Sequence, residues 1–299
     1  MAVPPIAGPG PVTAAEREFH LFQKYGSNPP PPLGPLIRLH PKPARSLPSH
    51  PHLPSTSSSS PSIVAYLAEA HTFITEFVPR AFERKGPRNG VEVLAHKVPN
   101  AEVPFESRPG GNTGSAESWS GRESLHANGC REGAVGWREV VRGLFGGEFE
   151  GADVRDRGVL VEWEEGVGVE GWEEVRAGVC EVVYGLPALV DDRVFPVFEV
   201  RARREGEVVV LRVPVEAEGL LGAKYVGKDG VTVGQLVSVE QAVLVENGAK
   251  VQLRKAVAVD AGGKLPSWAR VVGSSGELVK EVGAFVEWAA KGRGVKKLE

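Results

Sequence analysis

The chain has 299 residues, 41% hydrophobic and 24% charged, enough for one sizeable core with appendages and too ordinary a composition for disorder throughout. Its formal net charge of −3 gives no reason to expect nucleic acid, whose binding wants Lys and Arg gathered on one face. Two cysteines, Cys130 and Cys180, make no disulfide framework and point to a reducing compartment; with no signal-like start and no run of about 18 apolar residues, the expectation is a soluble cytoplasmic protein without an integral membrane segment.

In chain order, residues 1–28 hold a short predicted helix from Thr13 to Tyr25, with Phe19 and Phe22 at helical spacing. Residues 29–61 contain eleven of the 24 prolines, no acidic residue and a closing serine run. That composition buries too little apolar surface to offset its ordering, and reads as an extended, disordered linker. Residues 62–292 read as one folded domain and 293–299 as a basic tail.

The domain opens with a helix whose stripe is Ile63, Leu67, Ala70, Ile74 and Phe77, with Pro61 suited to its first turn and Pro79 ending it. From Val91 the period changes to two. Runs such as VEVLAHKV, WEEVRAGVCEVVYGL, RVFPVFEVRAR, EVVVLRVPVE and AKVQLRKAVAVD predict a meander of strands, joined by turns such as Arg204-Glu205-Gly206 and Asn247-Gly248. A helix from Val135 to Phe145 presents Trp137, Val140, Val141 and Leu144. A last helical pattern, Leu265 to Ala290, is bent or broken near Ser274 by Gly273 and Gly276. An α+β architecture follows, a curved antiparallel sheet against a long C-terminal helix, because each has an apolar face to bury against the other.

Three pieces carry a resemblance. Trp119-x-x-Arg122-x-Ser124-x-His126 lies in a strand, Gly136-Trp137-Arg138-Glu139-Val140 opens a helix, and Asp260-Ala-Gly-Gly-Lys-Leu-Pro-Ser-Trp268 leads to Val282-x-x-Phe285-x-x-Trp288. In this order, over about Ile63 to Ala290, the chain resembles a fungal family of START-like domains of unknown function. The resemblance implies the helix-grip fold, with a tunnel between sheet and long helix where relatives hold sterols, phospholipids, polyketides or other apolar ligands.

Candidate ligand-binding residues are Trp119, Arg122, Ser124, His126, Glu181, Phe198, Trp268, Val282 and Phe285. Alternate residues of a strand share a face, so Arg122, Ser124 and His126 stand together with Trp119 and Leu125 opposite, and alternation leaves open which set faces inward. Arg122 suits a carboxylate or phosphate and His126 either role in a hydrogen bond. Glu181 shares its strand face with Val175, Ala177, Val179 and Val183, although a solvated glutamate is the plainer reading. Val282 and Phe285 are first of all core, and Trp268 anchors the start of the last helix.

Enzymatic signatures are lacking. Gly222 to Lys228 has a phosphate-loop spacing, but Asp229 stands where Ser or Thr is needed, so a turn at Lys228-Asp229-Gly230 is expected. His40, His50 and His52 sit in the Pro-rich stretch with nothing to converge them on a metal. The leading expectation is a carrier of a lipid or other apolar small molecule, with no metal, cofactor or nucleic acid, and transient membrane contact at most. The alternatives are a polyketide cyclase- or dehydratase-like enzyme with His126 as acid/base, and a module that recruits a partner through the Pro-rich segment.

Overall fold

A computed structural model describes residues 30–54, 60–98, 117–131, 133–151, 154–163, 169–185, 191–216, 222–263 and 274–293. The predicted helix at Thr13 to Tyr25, Trp268 and the basic tail beyond Arg293 lie outside these residues.

Helix α1 spans Ile63–Thr72 and opens on Ser62, whose Oγ accepts a hydrogen bond from the Ala65 N–H at 3.2 Å. Its predicted stripe is buried from Ile63 to Phe77. Pro79 does not end it. The chain passes through a π-helical turn, Phe73–Phe77, into a last turn at Val78–Ala81. The proline has no N–H to return to the preceding turn, and the wider π turn accommodates that loss.

Ten strands form one sheet: β1 (Glu83–Arg88), β2 (Val91–Lys97), β3 (Ser118–Ala127), β4 (Val154–Trp163), β5 (Glu174–Tyr184), β6 (Asp192–Arg204), β7 (Glu207–Pro214), β8 (Val231–Val233), β9 (Gln235–Val245) and β10 (Lys250–Asp260). Their order is β1-β2-β3-β10-β9-β7-β6-β5-β4, antiparallel throughout, with short β8 parallel to the start of β6. The two predicted turns are present: Gly206 at φ +68° between β6 and β7, and Glu246, Asn247 and Gly248, all at positive φ, between β9 and β10.

Helix α2 (Trp137–Val140) continues as a π-helical turn at Val141–Phe145 and joins β3 to β4. Helix α3 (Ser275–Gly292) begins where a break was expected: the Ser274 Oγ caps it by accepting from the Glu277 N–H at 3.3 Å. Leu278, Val282, Phe285 and Ala289 are its buried stripe.

Both faces of the sheet are covered, which one-faced alternation did not anticipate. Strand β7 is buried at every position from Glu207 to Pro214. On one face α1 packs over Trp119, Val179, Phe198, Val209, Leu211 and Val239 in the largest apolar cluster. On the other, α2 and α3 cover two smaller clusters, one joining Phe285 to Val208, Leu253 and Phe145, the other joining Leu278 to Cys180, Phe195, Leu236 and Val257.

The Pro-rich stretch departs from the disordered linker expected of it. Within 30–54, Ile37, Arg38, Leu39 and Leu47 are buried. Lys42 bridges to Val215 at the end of β7. Glu69 of α1 accepts from the Leu36 and Ile37 N–H groups at 2.8 and 2.7 Å, and Arg38 pairs with buried Glu117 at 3.1 Å. The aliphatic residues between the prolines supply the apolar surface that a composition average hides.

Candidate functional site

Strand register decides what lies between the sheet and α3. Arg122 on β3 stands directly opposite Lys255 on β10, and Lys255 opposite Glu240 on β9. All three point toward α3, as do Ser124 and His126 further along β3. Two cations side by side on neighbouring strands repel, and two carboxylates answer them. Arg122 Nη2 lies 2.6 Å from Glu240 and 3.9 Å from Glu281, the latter reaching down from α3; Lys255 Nζ lies 2.6 Å from Glu281 and 3.7 Å from Glu240. Burial alone would push the Glu281 carboxyl up, but Lys255 and Arg122 outweigh it and hold it below the usual range. Lys255 is held above its usual range by Glu281 and Glu240 against the same burial.

Arg122 is only 2% exposed, yet its Nε and Nη1 find no hydrogen-bond partner among the described residues. Ser124 and His126 complete the row, with 3.0 Å between the Ser124 Oγ and His126 Nε2. Burial first, and then Arg122, hold the imidazole below its ordinary value, which favours its neutral form.

A second ionic group sits on the same face nearer β4. Glu199 meets Arg201 at 2.6 Å, Arg212 at 2.7 Å and Arg157 at 2.8 Å. Glu150 meets Arg201 at 2.9 Å, Arg212 at 3.0 Å and Arg157 at 3.5 Å. Although burial works against ionisation, Arg212, Arg201 and Arg157 hold Glu199 well below the usual carboxylate range.

The structure therefore brings together Arg122, Ser124, His126, Val282 and Phe285 and separates them from three other candidates. Trp119 and Phe198 face α1: Trp119 packs on Phe73 at 5.0 Å, and Phe198 on Tyr66 and Trp163 at 5.1 and 5.3 Å. Glu181 is neither solvated nor on the α3 side of the sheet. Fully buried, it accepts from the N–H groups of Lys224, Tyr225 and Val226 at 2.7, 3.1 and 2.9 Å, and so pins the loop before β8 to the sheet. In that loop the expected turn is present, with the Val231 N–H donating to the Lys228 carbonyl. His50 is held by its own contact, 3.0 Å from the Glu162 carbonyl. On the α1 side of the sheet, Pro31, Leu33, Ile37, Phe73 and Phe77 line a hollow of about 270 Å³ between the Pro-rich stretch and α1.

On this face of the sheet, ion pairs run between two apolar clusters. Sequence reasoning missed Glu240, Lys255, Glu281, Glu199 and Arg212. A signal was available in SVEQAVLV and LRKAVAVD, where a charge sits inside a Val-rich strand, because such charges must be paired when both faces are covered.

This arrangement of one open antiparallel sheet, a helix across one face before the strands and another across the opposite face after them is a START-like fold. Human STARD10 shares the fold at 12% identity and a TM-score of 0.50, over 80% of this chain and 83% of that one. Human StAR-related lipid transfer protein 5 is 16% identical over 77% of this chain and 94% of that one, with a TM-score of 0.49. No curated protein matches in sequence. The family model described as "Protein of unknown function (DUF3074)" matches residues 119–289, more than half of the chain, and the chain belongs to that family. Among the described residues no helix is long and apolar enough to cross a membrane.

Proposed function

We propose that the chain binds a lipid or similarly apolar small molecule between the sheet and α3, with the polar head of the ligand at Arg122, Ser124 and His126 and its body along Val282 and Phe285. The observation that carries this reading is the pair of unpartnered N–H groups on buried Arg122. A buried donor left unmade costs about 1–3 kcal/mol, and a ligand oxygen relieves that cost where the protein offers none. Covering roughly 300 Å² of ligand apolar surface would contribute about 7 kcal/mol before association costs. The START-like fold supports the same reading, and one of its structural relatives is named a lipid transfer protein. Transfer between membranes and a cytoplasmic setting belong to this proposal as well.

The test is native mass spectrometry of the protein purified from its own source, followed by binding to a panel of lipids and polyketides. A co-purifying or bound apolar molecule, lost in Arg122→Gln with the fold intact by circular dichroism, is expected. A folded protein that binds no member of the panel overturns the proposal.

One observation favours a second reading. The neutral imidazole of His126 beside the Ser124 hydroxyl is suited to moving a proton on a bound substrate, as a cyclase or dehydratase would require. His126→Ala separates the two: turnover lost with binding retained marks an enzyme, and binding retained with no turnover in either protein marks a carrier. Recruitment of a partner through the Pro-rich stretch is the weaker alternative, since residues 30–54 already pack on their own domain.

A further inference from the structure

The charges around Arg122 say what kind of head the proposed cleft between sheet and α3 takes. Arg122 and Lys255 bring two positive charges, Glu240 and Glu281 two negative ones, and every cation touches both carboxylates. Within its own ion pairs the set is electrically balanced, and Arg212 of the neighbouring group acts on Glu281 only as a weaker, more distant charge. What Arg122 lacks is lone pairs, because Nε and Nη1 have no acceptor although its charge is already matched. The next groups on the strand, Ser124 and neutral His126, add no charge. In the neighbouring ionic group, three arginines face two glutamates, and Arg157, on strand β4 near the sheet edge, is 26% exposed and so partly hydrated.

We propose that the head accepted at Arg122 is an uncharged oxygen acceptor, a ketone, ester or amide carbonyl, and that the cleft discriminates against carboxylates and phosphates. This rests on the reading of the cleft as an apolar-ligand site. A carbonyl oxygen supplies the missing acceptor and leaves the charge balance intact. A carboxylate adds a fifth charge to a balanced buried set, and to stay it must displace Glu240 or Glu281 or draw a proton onto His126. Glu281 is the member that sets this preference, since without it the two cations face Glu240 alone.

Three probes with one hydrocarbon tail decide the matter: oleamide, methyl oleate and oleate, titrated into the full chain at about pH 8, where a carboxylate is ionised. Dissociation constants come from quenching of tryptophan fluorescence. Oleamide and methyl oleate are expected to bind at least about tenfold more tightly than oleate. Glu281→Gln is expected to narrow or invert that ratio, and the wild-type ratio stands by itself if this variant does not fold. Oleate binding as tightly as oleamide, or more so, overturns the inference while leaving the apolar-ligand site in place. Failure of all three, with the wider lipid and polyketide panel also unbound, overturns the site itself and this inference with it.

Discussion

Glu199→Gln is the most demanding test of how this domain holds together. The carboxylate is buried and sits within 2.6–2.8 Å of Arg201, Arg157 and Arg212, which otherwise share Glu150. The amide keeps the shape of the side chain and removes its charge, leaving three guanidinium groups against one carboxylate. Breaking a buried ion pair by removing one partner costs about 3–5 kcal/mol, since the other partners stay buried without compensation. For a domain of this size each kcal/mol shifts the melting temperature by roughly 2–4 °C, so a fall of about 6–20 °C is expected. Differential scanning fluorimetry of the full chain measures it, with Glu148→Gln as the control: Glu148 pairs with Arg142 on the surface, and its loss is expected to leave the melting curve unchanged. A fall of less than about 2 °C in Glu199→Gln would refute the assignment of this cluster as a stabilising network.

A Cβ at Gly143 would stand 2.8 Å from the Phe285 ring and 2.9 Å from that of Trp288, so Gly143→Ala should force α2 and α3 apart and cost about 1–3 kcal/mol by urea denaturation; an unchanged midpoint would deny that these helices meet there. The thiols differ in reach. Cys130 is exposed while Cys180 is buried, its thiol pushed up to about 12 chiefly by that burial, so Ellman's reagent should find one thiol in the native protein and the second only in denaturant. His126 makes stability pH-dependent with a definite sign. Its folded value lies below the ordinary 6.5, so the unfolded chain takes up a proton first as the pH falls, and the contribution present above 6.5 is lost below it. Between about pH 7.5 and pH 5.5 the wild-type urea midpoint should fall further than that of His126→Asn; parallel curves would remove His126 from the account.

Helices α1 and α3 were legible because each buries one stripe near a 3.6-residue period, carried from Ile63 through the π-helical turn to Phe77 in the first and from Leu278 to Ala289 in the second. The strands were legible as strands, but not their facing. Alternation assigns Trp119 and Arg122 to opposite sides, and both sides are buried, one by aromatic packing and the other by ion pairing. Arg122 meets Glu240 across 118 positions of sequence, a pairing that only register creates. Glu181 was misjudged for a related reason: its partners are three backbone N–H groups, which no residue type announces. The proline content of 29–61 outweighed Ile37 and Leu47, the residues that tie 30–54 down.

Of the four charges Arg122, Lys255, Glu240 and Glu281, three stand on strands and the fourth, Glu281, rides on the helix. Seating that helix and cancelling the local charge are thus a single event. Were α3 to swing away, it would withdraw its carboxylate and bare one surplus positive charge, so the opened cleft would look cationic to its surroundings and the shut one neutral.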